Sequence, residues 1–152
     1  MLKKMSDIIL HELKTYDFQY KLQIQIRHIN YAGHAGHDAI IAIIWEARTH
    51  LFKTLGVSEL DLGDEKTGII MKDLAVNFHG KLFLFDEIMV ESHIGDIKKY
   101  GFRIYYRILK NDKKIAVAET GFLTYDYLIK KVVPVPSTFL SALEHMKRIK
   151  SV

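Results

Sequence analysis

The sequence predicts an α+β domain in which one antiparallel sheet wraps around a single long helix. A first strand, residues 20–26, precedes a long apolar helix over residues 38–55, and four strand-like segments follow. These segments are rich in β-branched and aromatic residues and span residues 69–78, 86–94, 102–109 and 115–127. One strand, one helix and then four strands is the order expected when a sheet packs on one helix.

Composition excludes several kinds of chemistry. The chain has 152 residues and no cysteine, with Lys+Arg 22, Asp+Glu 18 and eight histidines. A chain of this length is expected to form one domain over residues 1–152, with its core in residues 18–145. The absence of cysteine excludes disulfides, cysteine zinc sites, iron–sulfur clusters and a thiol nucleophile. The formal charge of +4 suits an anionic small molecule or a polyanion and does not decide between them.

No segment reads as a targeting or membrane-spanning sequence. The apolar run of residues 8–10 ends at His11, whereas a secretory signal needs ~7–15 apolar residues. The most apolar stretch, residues 39–45, is far shorter than the ~20 residues of a transmembrane helix. We therefore expect no membrane span and a cytoplasmic location.

The elements of the first half follow from hydrophobic periodicity. Residues 6–15 predict a short amphipathic helix, and the strict alternation over residues 20–26 predicts a strand with one buried face. Residues 30–37 contain two glycines and no periodicity, which indicates an ordered loop. The helix that follows is apolar nearly all round and is therefore expected to be buried, with Asp38 as its N-cap and Gly56 just beyond its end.

The second half is expected to form the rest of the sheet. Asn111-Asp112 lies between the last two strand-like segments and predicts a hairpin turn. Pro134 and Pro136 end the sheet region, and Ser137 is expected to cap a last amphipathic helix.

Three features around the start of the long helix could carry chemistry. His34 and His37 are three residues apart, a spacing that would allow metal chelation in a helix, but the neighbouring glycines argue for a loop, and we favour no metal. Gly33 and Gly36 would let a ligand approach the free N–H groups of the helix, which could polarise a carbonyl oxygen; a tight strand-to-helix turn explains them equally. The ordinary interpretation of the histidines is polar side chains at a helix start.

Glu46 is a charge on an otherwise apolar helix. Burial would raise the pKa of its carboxyl group and could make it a general base. The structural alternative is an ion pair with Arg48 or Arg27, or exposure on a polar stripe that includes Arg48. The sequence leaves these alternatives open.

Basic residues concentrate in one pair of strands. They are Lys98, Lys99, Arg103, Arg107, Lys110, Lys113 and Lys114. A nucleic-acid surface would interleave such charges with exposed aromatic residues, whereas alternation here also fits a solvated sheet face. We expect no nucleic-acid partner and favour a shallow basic rim, including Lys98 and Lys99, for the phosphates of a nucleotide-tailed ligand.

Taken together, residues 30–37 and Trp45-Glu46-Ala47-Arg48 resemble the hotdog-fold acyl-CoA thioesterases, in particular the 4-hydroxybenzoyl-CoA thioesterase-like group. That group has a loop ahead of its central helix, often with a Gly-His pair, and commonly a Glu-Ala-Arg in the helix. The segments at residues 84–86 and 116–126, followed by the two prolines, fit as well. The resemblance covers residues 18–145.

The resemblance implies hydrolysis of an acyl-CoA or acyl carrier thioester without a cofactor. It implies a homo-oligomer, a dimer or tetramer, with its active site at a subunit interface. A catalytic aspartate of the group falls on Asn30, the N–H group that polarises the thioester oxygen falls on His37, and Gly33 and His34 match the Gly-His pair. Gly36 and Asp38 are then expected to contact the substrate.

Asn30 is the departure from the family pattern. An amide can orient water but cannot accept a proton as a carboxylate does, so another group must be the base. We predict His34 or His37, with Asp38 and Glu46 as the other candidates. Two further functions remain open: a non-catalytic hotdog module that binds acyl thioesters, and a hydratase or dehydratase of enoyl or hydroxyacyl thioesters that uses a histidine.

Overall fold

The protein is an antiparallel sheet packed on one long helix, in a computed structural model that describes residues 2–150. In chain order its elements are β1 (Phe18–Gln23), a 3-10 turn (Ile26–His28), α1 (His37–Thr54), β2 (Thr67–Phe78), β3 (Glu87–Lys98), β4 (Gly101–Lys110), β5 (Lys113–Asp126), β6 (Lys131–Val132) and α2 (Ser137–Lys150). The strand order across the sheet is β1-β3-β4-β5-β2, and the short β6 pairs with the end of β5. The predicted α+β layout is confirmed.

Helix α1 supplies the centre of the core. Ile43, Ala47 and Leu51 are at most 1% exposed and pack in one cluster with apolar side chains from the sheet. We call the sheet face toward α1 the inner face and the opposite one the outer face. Ile41 and Trp45, one turn apart on α1, are 37% and 57% exposed. The prediction of a helix buried nearly all round is therefore wrong, because the sheet covers only part of its circumference.

The helix also carries a buried arginine. Arg48 is 5% exposed, its Nε donates to Glu59 Oε1 at 2.6 Å, and its Nη1 donates to the Tyr106 hydroxyl at 3.4 Å. The Tyr106 hydroxyl also shares a hydrogen bond with Thr120 Oγ1 at 2.9 Å. Arg48 thus belongs to a polar network between α1 and the sheet, so the alternative that placed it on an exposed polar stripe is wrong. A buried guanidinium is tolerated here because its donors have partners.

The N-terminal part of the chain differs most from expectation. Residues 6–15 form no helix and run instead along the outer face, where the Leu10 N–H donates to Asn77 Oδ1 at 2.7 Å. Strand β1 ends at Gln23, before the 3-10 turn, and Ile26 lies in that turn with 72% of its surface exposed. Tertiary contacts have overridden local periodicity in both places.

The turns of the second half agree with prediction. Asn111 and Asp112 have φ of 49° and 61°, as a two-residue hairpin with a primed turn requires. Gly56 follows α1 with φ of 74°. The start of α1 differs, since Gly36 is the N-cap and Asp38 lies in the first turn. Among the helices within residues 2–150, none is long and apolar enough to cross a membrane.

Candidate active site

The loop ahead of α1 is held by backbone hydrogen bonds. The Asn30 N–H donates to the His34 carbonyl and the Gly33 N–H donates to the Asn30 carbonyl, both at 3.0 Å. Gly33 has φ of 86°, which favours glycine at this tight turn. The Ala35 N–H donates to the Leu82 carbonyl at 2.8 Å, so the loop is fastened to the segment that leads into β3.

A cleft of about 450 Å³ lies between this loop and the segment after β2. The structure brings four predicted residues together along one wall, namely Asn30, His34, Gly36 and His37. The other wall contains Phe78, His79, Gly80, Lys81 and Leu82. His79 and Lys81 were missed by sequence reasoning, since no motif links them to the loop and only the fold brings them near it.

Asn30 presents a hydrogen-bond donor at Gly36. Its Oδ1 accepts the Ala32 N–H at 2.9 Å, which identifies the other amide atom as Nδ2. A Cβ placed on Gly36 would lie 3.3 Å from that Nδ2 and would collide with Asp38 Oδ1. The space above Gly36 is therefore flanked by an amide donor and a carboxylate, and it exists because residue 36 has no side chain.

The N-terminus of α1 lies at this cleft. Its N-cap, Gly36, has no side chain to accept the first N–H groups, and the Ile40 N–H is the first to reach a helical carbonyl, that of Gly36 at 3.1 Å. The N–H groups of His37, Asp38 and Ala39 precede that bond. Together with the helix dipole they favour a negative oxygen at this end of the helix.

The histidines of the cluster have different surroundings. His34 Nδ1 lies 3.2 Å from the Ala35 carbonyl, and its ring meets Phe83 edge-on. Because a carbonyl only accepts, Nδ1 carries the proton in that hydrogen bond, and in the neutral form of the ring Nε2 then has the lone pair. His28 is buried, accepts the Gln25 N–H on Nδ1, and has its pKa lowered by burial. His28 is thus part of the turn before the loop.

Glu46 lies outside the cleft lining. The Tyr20 hydroxyl donates to Glu46 Oε1 at 2.6 Å, and this hydrogen bond to the carboxylate raises the pKa of Tyr20 to about 12. Glu46 makes no ion pair with Arg48 or Arg27, and Arg48 pairs with Glu59 instead. A catalytic role for Glu46 remains a prediction.

Lys98 and Lys99 lie at the far end of the sheet from the cleft. The His79 N–H donates to the Ile115 carbonyl at the start of β5, whereas Leu123 of β5 pairs with the start of β4 beside the two lysines. Eight residues of strand separate these points, which corresponds to ~26 Å. Within one chain the lysines therefore do not belong to the cleft.

Most of the remaining basic side chains are paired with carboxylates. The pairs are Arg103 with Asp73 and Glu119, Arg107 with Glu91 and Glu12, Lys110 with Asp86, and Lys114 with Glu12. Neighbouring carboxylates therefore offset much of the positive charge of these side chains. Among residues 2–150, no cluster of three or more His, Asp or Glu side chains is arranged to hold a metal ion.

Comparison with known proteins identifies the family. The family model "Thioesterase-like superfamily" matches residues 24–143. The chain belongs to this superfamily. It is 22% identical over 131 residues to the acyl-CoA thioesterase YbgC of Haemophilus influenzae, which covers 86% of this chain and 96% of that protein. The predicted relationship to thioesterases and the assignment as a thioester hydrolase are confirmed at this level.

Solved structures show the same fold in thioesterases. Slr0204 of Synechocystis, a 1,4-dihydroxy-2-naphthoyl-CoA thioesterase, superimposes with a TM-score of 0.77 at 16% identity and covers 86% of this chain and 97% of its own. The gentisyl-coenzyme A thioesterase BH1999 gives a TM-score of 0.72 at 21% identity, covering 82% and 98%. The predicted hotdog fold of this thioesterase-like chain is confirmed.

Proposed function

We propose that this thioesterase-like protein hydrolyses an acyl-CoA or acyl carrier thioester in the cleft between residues 30–37 and residues 78–82. The observation that carries the proposal is the free N-terminus of α1, which opens into a cleft that also holds the Asn30 amide and the imidazole rings of His34 and His37. Acyl transfer is accelerated by hydrogen-bond donors that are already positioned around the oxygen on which negative charge develops.

In the proposed reaction the N–H groups at the start of α1 receive the thioester oxygen. The negative charge that develops on this oxygen during attack is stabilised by the His37 N–H and its neighbours, and removal of one such donor typically costs ~10²–10³ in rate. The Asn30 Nδ2 donates to the attacking water or to the same oxygen, because its Oδ1 is already engaged with the loop backbone. No cofactor takes part.

His34 is the proposed base. Its Nε2 lone pair accepts a proton from water as the water oxygen bonds to the thioester carbon. The tetrahedral intermediate then collapses, the carbon–sulfur bond breaks, and the thiolate takes the proton back from the imidazolium. His37, in the same wall, and Asp38, whose Oδ1 borders the space above Gly36, are the alternative bases.

The nucleotide end of the substrate requires a second subunit in this proposal. Strand β2 is a twelve-residue edge whose Ile70 and Met71 are 37% and 42% exposed, and such an edge invites pairing with a second copy. If two β2 strands pair antiparallel, the end of β2 at Phe78 lies beside the start of β2 in the partner subunit. The lysines of the partner subunit, and not those of the same chain, would then approach the cleft.

We propose a cytoplasmic location for the protein. The pairing of β2 edges predicts a homo-oligomer, a dimer or tetramer, and makes the role of the lysines testable. Replacing Lys98 and Lys99 together with Ala should weaken use of CoA thioesters several-fold, and more at low salt, where exposed charges act over longer distances. Activity on a short thioester without a nucleotide should stay unchanged. A monomer by light scattering at micromolar concentration would contradict the shared site.

The decisive experiment for the function itself is a panel of acyl-CoAs in which thiol release and enoyl absorbance are read together. Thiol release supports hydrolysis. A change in enoyl absorbance without thiol release would support the hydratase alternative. Tight binding with neither signal would support a non-catalytic module, which Asn30 favours because an amide is not a base.

A further inference from the structure

The N-terminal segment, residues 5–17, is fastened to the outer face of the sheet. Asn77 of β2 holds it from both sides, since Asn77 Oδ1 accepts the Leu10 N–H at 2.7 Å and Asn77 Nδ2 donates to the Ile8 carbonyl at 2.8 Å. Glu12 pairs with Arg107 at 3.4 Å, and Asp17 Oδ2 lies 2.6 Å from His93 Nδ1. The segment therefore has a defined position beside the end of β2.

A groove of about 590 Å³ lies between the first part of this segment and the end of β2. Its apolar walls are unusually exposed: Met5 is 80%, Ile8 75%, Ile9 69% and Phe78 53% accessible to solvent. Side chains of this kind gathered at one place typically mark a binding surface. The volume is in the range of small-molecule sites.

The groove is continuous with the candidate active site. Phe78 and His79 line both the groove and the cleft that holds Asn30 and His34. A substrate whose thioester lies in the cleft can therefore extend past Phe78 into the groove. The groove can therefore receive an apolar part of the substrate that is attached to the thioester carbon.

We propose that this groove binds the hydrocarbon part of the acyl group and that the N-terminal segment selects acyl chain length. The inference rests on the proposed thioester hydrolysis. The opposite end of the substrate does not fit here, because the lining residues include Asp7 and no lysine or arginine to offset phosphate charge. Each methylene that becomes buried against these side chains should raise kcat/KM by ~4-fold until the groove is full.

The kinetic test compares butyryl-, octanoyl- and dodecanoyl-CoA. The double variant Ile8→Asn/Ile9→Asn should lose at least ten-fold in kcat/KM on dodecanoyl-CoA, chiefly through KM, and less than two-fold on butyryl-CoA. Leu60→Asn is the matched control, since Leu60 is 68% exposed and lies outside the groove. It should keep the length preference of the parent.

Two further variants and one binding measurement complete the test. Asn77→Ala removes both hydrogen bonds to the segment and should flatten the length preference as the double variant does, whereas Asn77→Asp retains the acceptor for Leu10 and should flatten it less. Calorimetric titration with free dodecanoate should give weaker binding for the double variant than for the parent. This readout does not depend on turnover.

The results separate this proposal from the proposed function. A parent that releases no thiol from any acyl-CoA contradicts the function, while dodecanoate binding still tests the groove. An active parent without length preference, or a double variant that keeps it, overturns the groove as an acyl site. So does a double variant that changes only the oligomeric state, because the groove would then be a contact between copies.

Discussion

The cleft and the outer face of the sheet differ in whether their polar groups have partners within the protein. On the outer face, Arg103 and Arg107 each make close ion pairs, with Asp73 at 2.8 Å and with Glu91 at 2.7 Å. In the cleft, the N-terminus of α1 has no side-chain cap. Among the residues that the structure describes, the imidazole of His37 forms no hydrogen bond or ion pair.

This difference separates groups that stabilise the fold from groups kept for a ligand. Polar groups that can be paired within a protein normally are, because unpaired ones cost stability. The N–H groups at the start of α1 and the exposed imidazole of His37 are therefore available to a ligand. The contrast predicts that substitutions in the cleft change turnover with little loss of stability, and that substitutions on the outer face do the reverse.

The largest expected effect is at the base. His34→Ala should lower kcat by ~10²-fold or more, because a positioned general base contributes ~10²–10⁴, while the thermal midpoint stays nearly unchanged. His145→Ala, on the exposed face of α2, is the matched control and should keep full activity. If His37→Ala gives the loss and His34→Ala does not, the base is His37.

Full activity in both histidine variants would place the base elsewhere. Asp38→Asn would then be expected to abolish turnover, since Asp38 Oδ1 borders the space above Gly36. Glu46→Gln tests the remaining predicted carboxylate. Loss of the Glu46 carboxylate should mainly affect its hydrogen bond with Tyr20, whose hydroxyl donates to Glu46 Oε1 at 2.6 Å.

The next effect compares two glycines of one loop. Gly36→Ala should lower kcat roughly ten-fold or more, because the new Cβ would collide with Asp38 Oδ1 and crowd Asn30 Nδ2 where the substrate binds. Gly36 has φ of −75°, so its backbone accepts alanine without strain. Gly33→Ala should do the opposite: its φ of 86° strains the backbone by ~1 kcal/mol, yet open space surrounds its Cβ. Steady-state kinetics and thermal melts check both, and equal kinetic losses would contradict the assignment of the space above Gly36.

A smaller and opposite effect is expected at residue 30. Asn30→Asp places a proton acceptor where the family has its aspartate and should raise kcat a few-fold. The new carboxylate would still accept the Ala32 N–H, so the loop should keep its shape. Asn30→Ala should lower kcat, but by less than loss of the base. Thiol release from a single acyl-CoA at saturation measures kcat for the parent, Asn30→Asp and Asn30→Ala. Inactivity of both the parent and Asn30→Asp would favour a binding module.

How much of this could be predicted from the sequence depended on whether the signal was local. The strands and α1 follow from periodicity, and Gly36 and His37 from a loop that abuts a helix. Residues 6–15 have helical periodicity, yet Asn77, far along the chain, holds them in another form. His79 had no local signal at all, because it reaches the cleft only through pairing of its backbone with Ile115.

Charge was the least predictable property. Arg48 looked like a surface residue because its acceptor, Glu59, lies beyond the end of the helix. Lys98 and Lys99 were expected to contact the substrate, because the sequence does not show that their turn lies at the end of the sheet away from the cleft. In both cases the deciding contact is set by tertiary structure.

The smallest expected effect concerns the outer face and its response to acid. The side-chain hydrogen bonds from Arg103 hold the pKa of Asp73 below its usual value, against an opposing contribution from burial. A lowered pKa means that the folded state binds fewer protons, so this pair stabilises the fold above the usual carboxyl pKa near ~4 and stops doing so as the pH falls through the folded value. Because both side chains are partly exposed, the contribution should be within ~1 kcal/mol. Asp73→Asn should therefore lower the thermal midpoint slightly at pH 7, converge with the parent in strong acid, and leave kcat unchanged. A loss of turnover without a change in the midpoint would mean that the outer face takes part in the reaction, and the contrast between the two regions would fail.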